Sequence, residues 1–343
     1  MIILGIESSC DETSAAVIET FNKNKKVKLL SNIISSSLSL HAKTGGIIPE
    51  VAAREQVKFI IPVIDDALKV LKKPKDEIDA IAVTVGPGLI GSLLVGVETA
   101  RMFSYVWKKP LIPVNHLFGH IYANWIESDR KEEVTFPAIA LVVSGGHTDL
   151  VLINNHEDFK WLGGTRDDAA GEAFDKTGRL LNLNYPAGPE IEKFAKQTNK
   201  DIYHLPRPMV NSDDFDFSFS GLKTAVLREV EKIGSSNLKK ENVVNLSYSL
   251  QEAVFDVLIK KTFKAFYKYQ AKSIILGGGV AASQTLKNKF EEHIKNNKIK
   301  VNFFVPDKFL CTDNAAMIAA AGFYNYKEAS WEDLSANPEL YFD

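Results

Sequence analysis

Between residues 2 and 18 the chain reads Ile2-Ile3-Leu4-Gly5-Ile6-Glu7-Ser8-Ser9-Cys10-Asp11-Glu12-Thr13-Ser14-Ala15-Ala16-Val17-Ile18. An apolar run from Ile2 to Ile6, a polar segment from Glu7 to Ser14 and a second apolar run from Ala15 to Ile18 predict strand, tight turn and strand. The pattern returns at Ala138 to Val143, which leads through Ser144, Gly145, Gly146, His147, Thr148 and Asp149 into the apolar stretch Leu150 to Ile153. Two such β-hairpins, each with an unusual polar tip, predict two related units.

The remaining pattern alternates. In the first half, Pro49 to Leu71 has apolar residues at helical spacing, Ala80 to Val85 reads as a buried strand ending in Gly86-Pro87-Gly88, and a helix is expected to run on to Trp107. In the second, Asp168 to Leu181, Gly221 to Lys232 and Val243 to Tyr269 predict helices. Ser273 to Leu276 and Val301 to Val305 predict strands, and Thr312 to Lys327 an Ala-rich closing helix. Strands alternating with helices indicate an α/β class, and the leading hairpins make each sheet mixed. At 343 residues the chain exceeds the usual size of a single core, so two lobes with a cleft between them are expected. The patternless, charged segment from Glu127 to Thr135 places the boundary, giving residues 1–130 as the N-terminal lobe with the His pair and 131–343 as the C-terminal lobe with the closing helix. Asp129 to Glu133 should be exposed.

Composition narrows the class. Apolar residues make up 45% and charged residues 24%, ordinary for a globular protein and unlike a disordered chain. No segment reaches the ~18 uninterrupted apolar residues of a spanning helix, and no basic stretch precedes a long apolar run at the start, so no membrane association and a cytoplasmic location are expected. Cys10 and Cys311 are too few for a disulfide framework. The formal net charge of −2, with lysines scattered, provides no basic footprint for nucleic acid.

Three glycine-rich turns follow apolar strands: Gly86-Pro87-Gly88, Ser144-Gly145-Gly146 and Gly277-Gly278-Gly279. Each alone is ordinary turn chemistry. Together, with bare backbone N–H groups at strand ends, they suggest a nucleotide-like ligand, yet none matches the P-loop or the full dinucleotide fingerprint, so P-loop hydrolysis and hydride transfer lose ground. Asn115-His116-Leu117-Phe118-Gly119-His120 sets two imidazoles four residues apart, on one face of a helix and at a separation suited to one metal ion; two hydrogen-bonded histidines are the plainer alternative. Leu117 stands where a zinc peptidase of the H-E-x-x-H type has its general base. Asp11 and Glu12 occupy the first hairpin tip, Asp167 and Asp168 are placed to cap a helix, and Asp175 lies within it. Asp313 reads either as an N-cap or as a third metal ligand.

Read together, these segments resemble the family of tRNA N6-adenosine threonylcarbamoyltransferases, once called O-sialoglycoprotein endopeptidases. The resemblance spans nearly the whole chain through E-S-S-C-D-E-T from Glu7, G-P-G-L-I-G-S-L-L-V-G from Gly86, N-H-L-F-G-H from Asn115, V-S-G-G-H-T from Val143, D-D-A-A-G-E-A-F-D-K from Asp167, F-S-F-S-G-L-K-T from Phe217, G-G-G-V-A from Gly277 and C-T-D-N from Cys311. It implies the two-lobed fold of actin, Hsp70 and the sugar kinases, with a mixed sheet in each lobe and a central cleft. It implies transfer of a threonylcarbamoyl group from threonylcarbamoyl-AMP to N6 of adenosine 37 in tRNAs reading codons that begin with A, forming t6A.

The same resemblance assigns residues. His116, His120 and Asp313 fall where the family holds one divalent metal ion, with Fe2+ the first expectation and Zn2+ or Mg2+ the alternatives. Val142, Val143, Ser144, Gly145, Gly146, Asp175, Gly188, Glu192 and Ser283 fall on the donor site, and Asp11 and Glu12 match acids needed for activity. Expected partners are the tRNA anticodon loop, a paralogous subunit (TsaB-like) and a small ATPase (TsaE-like). Three positions depart from the family pattern: Phe118 replaces a usual Glu, Ser283 a usual Asn, and Ala187 a usual Gly. A metallopeptidase, an ATP-dependent phosphotransferase of the same fold and a noncatalytic scaffold are the rival readings; retention of all three metal positions weighs against the scaffold.

Overall fold

A computed structural model describes residues 1–21, 26–38, 40–41, 46–126, 133–234 and 237–342. In chain order its main elements are strands β1 (Ile2–Glu7), β2 (Glu12–Phe21), β3 (Lys26–Ser36), β4 (Ala80–Gly86), β5 (Leu111–Asn115), β6 (Ala138–Val143), β7 (Thr148–Asn155), β8 (Asp158–Gly164), β9 (Ser273–Gly277) and β10 (Asn302–Phe304). The principal helices are α1 (Pro49–Leu68), α2 (Ile90–Trp107), α3 (His116–Tyr122), α4 (Ala170–Leu180), α5 (Ala187–Ala195), α6 (Ser220–Ile233), α7 (Lys240–Lys268), α8 (Gln284–Asn296) and α9 (Ala315–Tyr324).

Both hairpins form. Residues Ile2 to Glu7 pair antiparallel with Glu19 back to Ser14, and Ala138 to Val143 with Ile153 back to Thr148. Among the described residues there are two five-stranded sheets, ordered β3-β2-β1-β4-β5 and β10-β9-β6-β7-β8. The second, read backwards, is the first with every strand number raised by five, so the two units share one plan. In each, the hairpin supplies antiparallel pairs, and the strand after the crossover joins the leading strand in parallel. The mixed sheets are therefore as expected. The strands β3, β5 and β8 and the helix α5 were not anticipated; β3 and β8 are half-exposed edges whose apolar pattern is broken by lysine, serine and aspartate.

The chain divides into Met1–Lys131 together with Pro306–Asp343, and Glu132–Val305. The expected division at 130/131 is thus corrected at its far end, because the closing helix returns to the first unit. The reason is burial: Ala315 to Ala321 are at most 1% exposed, and α9 packs on β1, β2, β4 and β5. A helix apolar on all sides needs such a covered position. Gly5 makes room for it, since a side chain there would strike the Ala315 carbonyl. Of the expected exposed segment, Asp129 to Glu132 lies outside the described residues, and Glu133 is exposed. No helix among the described residues is long and apolar enough to cross a membrane.

Candidate metal centre and the glycine turn of the second unit

Both imidazoles belong to one short helix whose start is fixed by its N-cap. Asn115 accepts the Leu117 N–H through Oδ1 (2.8 Å) and donates from Nδ2 to the Tyr341 carbonyl (2.5 Å). Gly119, between the two histidines, lets α3 approach α9: a Cβ there would lie 2.8 Å from Ile318 Cδ1 and 3.1 Å from Met317 Cγ. Asp313 stands just before Asn314, the residue that precedes α9. The capping role left open for it belongs instead to Asn314, whose Oδ1 accepts the Met317 N–H at 3.0 Å. Asp313 Oδ1 consequently faces the imidazoles, 3.5 Å from His116 Nε2 and 3.4 Å from His120 Nε2. One donor atom from each of the three residues lies within 4.8 Å of the others.

This set fits a metal ion. Two imidazoles and one carboxylate are the donor set of open-sided iron sites, and imidazole also suits zinc, whereas magnesium prefers oxygen alone. His120 is fully buried, and neither of its ring nitrogens makes a hydrogen bond, an arrangement that a bare protein rarely tolerates. Burial holds its pKa below the usual imidazole value, a neutral ring being the ligating form.

His116 differs in its second nitrogen. Its Nδ1 lies 3.1 Å from Glu7 Oε2 and 3.2 Å from Ser9 Oγ. Glu7, at the end of β1, is wholly buried. It also accepts the Ser9 N–H at Oε1 and the Thr84 hydroxyl at Oε2, both at 2.5 Å. Burial alone would raise the Glu7 carboxyl, but the charge and hydrogen bond of His116 outweigh it and hold the group below its ordinary value. For His116, burial pulls the other way and is overcome by the charges of Glu7 and Asp313, which push it up to about 9. Metal binding at Nε2 would displace that proton. Glu7, Ser9 and Thr84 are neighbours of the cluster that sequence reasoning missed. Their only signal was an acid ending an apolar strand, which reads equally well as turn chemistry.

The acidic tip sits on the same unit. Asp11 is 8% exposed, and its carbonyl accepts the Ser37 N–H and hydroxyl. Gln56 of α1, 1% exposed, donates from Nε2 to the carbonyls of Ser8, Cys10 and Glu12 at 3.3, 3.0 and 3.0 Å. Ser92 of α2 adds a bond to the Cys10 carbonyl (3.0 Å). The tip is thus pinned from two helices. Burial, with the neighbouring Asp11, raises Glu12 to about 10. Burial likewise pushes the Cys10 thiol up.

In the second unit, the residues expected on the donor site are joined by successive contacts. Val142 and Val143 are fully buried, side chain and backbone alike, within the paired strand β6. Gly171 of α4 packs on the turn, where a Cβ would meet the Ser144 carbonyl at 2.5 Å. Asp175, also on α4, accepts the Ala187 N–H at the start of α5 (2.7 Å). Glu192 on α5 accepts the N–H and hydroxyl of Thr285 at the start of α8 (3.0 and 2.7 Å). Ser283 caps α8 by accepting the Leu286 N–H at 3.2 Å. Burial would raise Glu192, yet the bonds from Thr285 and Lys196 hold it below its usual value. Around Gly145, Gly146 and Gly188, by contrast, a Cβ would meet nothing within 4 Å.

Two expectations are corrected. Asp167 and Asp168 do not cap α4, whose N-cap is Ala169. Asp167 accepts the Ser218 and Ser220 hydroxyls and the Phe219 and Ser220 N–H groups, tying the D-D-A-A segment to the F-S-F-S segment. Asp168 pairs with Lys176 at 2.6 Å. The departures also find places: Phe118 packs edge-on against Phe342 (5.5 Å), and the Ala187 methyl lies over Gly178, where a second Cβ would not fit.

The family model described as TsaD, tRNA N6-adenosine threonylcarbamoyltransferase, matches residues 28–320. Proteins of that name from Persephonella marina and Thermosipho africanus are 47% and 46% identical to this chain, covering 96% and 99% of it and 91% and 99% of their own lengths. Among solved structures, full-length HypF in its phosphate- and nucleotide-bound form aligns over 96% of this chain with a TM-score of 0.61 at 12% identity, and HypF from T. kodakarensis over 97% with 0.61 at 15%. This chain spans about half the length of each, 47% and 49%, and the likeness is one of fold, the two-lobed α/β architecture of the actin, Hsp70 and sugar-kinase class. By its family match and its near full-length relatives, the chain belongs to the tRNA N6-adenosine threonylcarbamoyltransferases and is a transferase acting on tRNA.

Proposed function

We propose that this enzyme moves the threonylcarbamoyl group of threonylcarbamoyl-AMP to N6 of adenosine 37 in tRNAs reading codons that begin with A, forming t6A. The observation that carries the reading is the His116, His120 and Asp313 cluster beside the pinned acidic tip, in a member of this family. The mixed anhydride is already activated, whereas the adenine N6 lone pair is delocalised and weakly nucleophilic. The protein's task is therefore to orient donor and acceptor and to remove one proton. His116, His120 and Asp313 would hold one divalent ion, iron first and zinc second by the donor set, and when bound it supplies Lewis acidity toward the donor's oxygens.

The acidic tip, Asp11 with Glu12, is assigned to accept the N6 proton. Gln56 and Ser92 hold that tip in place. In the second unit, the backbone around Ser144 to Gly146 and the space about Gly188 are assigned to the donor, with Asp175, Glu192 and Ser283 setting the helix starts that shape it. The acceptor lies in a loop and needs no duplex opening. A formal charge of −2 offers little for unaided tRNA capture, which favours work alongside a paralogous subunit and a small ATPase.

The test is to incubate the protein with synthetic threonylcarbamoyl-AMP and an unmodified tRNA transcript, with and without candidate partners. Nucleoside analysis should then reveal t6A and an equal amount of AMP. Release of AMP without t6A under every combination would sink the proposal, as would peptide cleavage that depends on His116.

A further inference from the structure

Glu7 lies outside the metal triad and outside the acidic tip, yet it is wholly buried and its carboxylate has partners on three sides. Its place in the fold explains how a strand-end acid comes to matter. β1 ends at Glu7, β4 brings Thr84 alongside, and α3 brings His116 from above the neighbouring strand β5. A carboxylate so buried is held for a purpose or at a loss.

We propose that Glu7 is a positioning residue for the metal centre: it accepts a hydrogen bond from His116 Nδ1–H and so keeps Nε2, the nitrogen that faces Asp313, free to ligate. The inference rests on reading the His116, His120 and Asp313 cluster as a metal site. Neutral imidazole carries one N–H and one lone pair, and the partner of one nitrogen dictates which is which. Carboxylate is an acceptor only, so Nδ1 facing Glu7 Oε2 at 3.1 Å must be the donor. The lone pair then sits on Nε2, 3.5 Å from Asp313 Oδ1. Carboxylate–imidazole–metal triads of this kind raise ligand basicity and fix ring orientation.

The geometry makes the isosteric Glu7→Gln change unusually informative. The Ser9 backbone N–H points at Oε1 and cannot turn away, whereas the Thr84 hydroxyl at Oε2 can rotate to accept. The amide oxygen of the variant must therefore take the Oε1 place, and its NH2 group the Oε2 place. That NH2 faces Nδ1 and asks it to be an acceptor. The imidazole proton is driven to Nε2, so the ligand nitrogen becomes a donor. His116 can escape only by turning its Nδ1–H toward Ser9 Oγ at 3.2 Å, an escape closed in a Glu7→Gln, Ser9→Ala double variant.

The experiment measures Zn2+ affinity by competition with a chromophoric chelator, on protein whose folding is checked by its melting curve. Glu7→Gln should bind zinc about 10- to 100-fold more weakly than wild type and the double variant more weakly still, while Ser9→Ala alone stays within about threefold. Thr84→Val, which removes a neighbouring bond and leaves the His116 contact, should also stay within about threefold. Zinc binding by Glu7→Gln within threefold of wild type, while His120→Ala loses the ion, would overturn the proposal and leave the metal reading intact. Unchanged zinc binding by His120→Ala would overturn both. Should the glutamine variant not fold, nitrogen NMR of the zinc-loaded wild type decides directly: a proton on Nδ1 and metal at Nε2 of His116 supports the assignment, and the reverse tautomer overturns it.

Discussion

The two units share one strand order but use their polar side chains differently. In the first, Glu7, His116, His120 and Asp313 come together at the ends of β1, α3 and the segment before α9, and the buried ring nitrogens of His120 are left without hydrogen bonds. In the second, Asp175, Glu192 and Ser283 are satisfied by backbone N–H groups at the starts of α5 and α8, while the glycines around them leave open space. One unit presents side-chain chemistry and the other a shaped backbone. The lesson is that a repeated sheet plan fixes where strand ends lie and leaves to the loops what they do there.

The sharpest way to break this contrast is His120→Ala. Because neither ring nitrogen makes a hydrogen bond and Asp313 still has His116 at 3.5 Å, the substitution removes a candidate ligand while leaving the carboxylate an imidazole neighbour. Metal content should fall to background and transfer should drop on the order of 10³-fold or more, several kcal/mol of lost charge stabilisation. Circular dichroism should be unchanged. Full turnover by a metal-free His120→Ala protein would mean that the first unit's cluster is structural.

Next in size is a change that fills the second unit's open backbone. Gly146→Val adds a side chain whose Cβ would meet nothing within 4 Å, so the melting temperature should be nearly that of wild type. If the donor lies against this turn, kcat/KM for threonylcarbamoyl-AMP should fall at least about tenfold through steric exclusion, with the metal content intact. Wild-type kinetics would remove the donor from the Ser144 to Gly146 turn.

How much of this was readable beforehand follows from the range of the contacts involved. The hairpins were legible because apolar run, polar tip and apolar run are adjacent in the chain, and the His pair because a helix brings i and i+4 together. Asp313 was ambiguous between cap and ligand until Asn314 was seen to take the cap. Its reading as a ligand came from family resemblance and not from spacing. Glu7 was hidden since its partners Thr84 and His116 are 77 and 109 residues away, and nothing local distinguishes a strand-end acid from a turn. The return of α9 to the first unit was missed for the same reason: an Ala-rich helix announces burial but not beneath which sheet. Asp167 looked like a helix cap because it stands just before α4, and its real partners lie about fifty residues on.

A smaller effect separates shape from chemistry in the second unit. Glu192→Ala releases the N–H and hydroxyl of Thr285 and should destabilise the protein by about 1.5–3 kcal/mol, the range for hydrogen bonds to a charged group. Its carboxyl is held below the ordinary value, so the contribution is present above the unfolded pKa and fades as pH falls through the folded one. Urea midpoints of wild type and variant should differ at pH 7 and converge below about pH 4. A gap that persists under acid would show that packing, and not the charge, is what Glu192 provides.

The smallest effect tests Ser283, expected on the donor site in place of a usual Asn and found capping α8. If the cap is its work, Ser283→Ala should lower stability by about 1 kcal/mol and leave the KM for threonylcarbamoyl-AMP unchanged, while Ser283→Asn, an equally good cap, should be neutral in a melt. The asparagine variant then carries the sharper question. It restores the residue that the family usually places here, with a longer side chain able both to cap and to reach beyond the helix start. A lower KM in Ser283→Asn at unchanged stability would mean that this chain has exchanged a donor contact for a shorter cap. Equal KM values across all three proteins would mean that recognition in this unit rests on backbone and space, as the glycines around Ser144 and at Gly188 suggest.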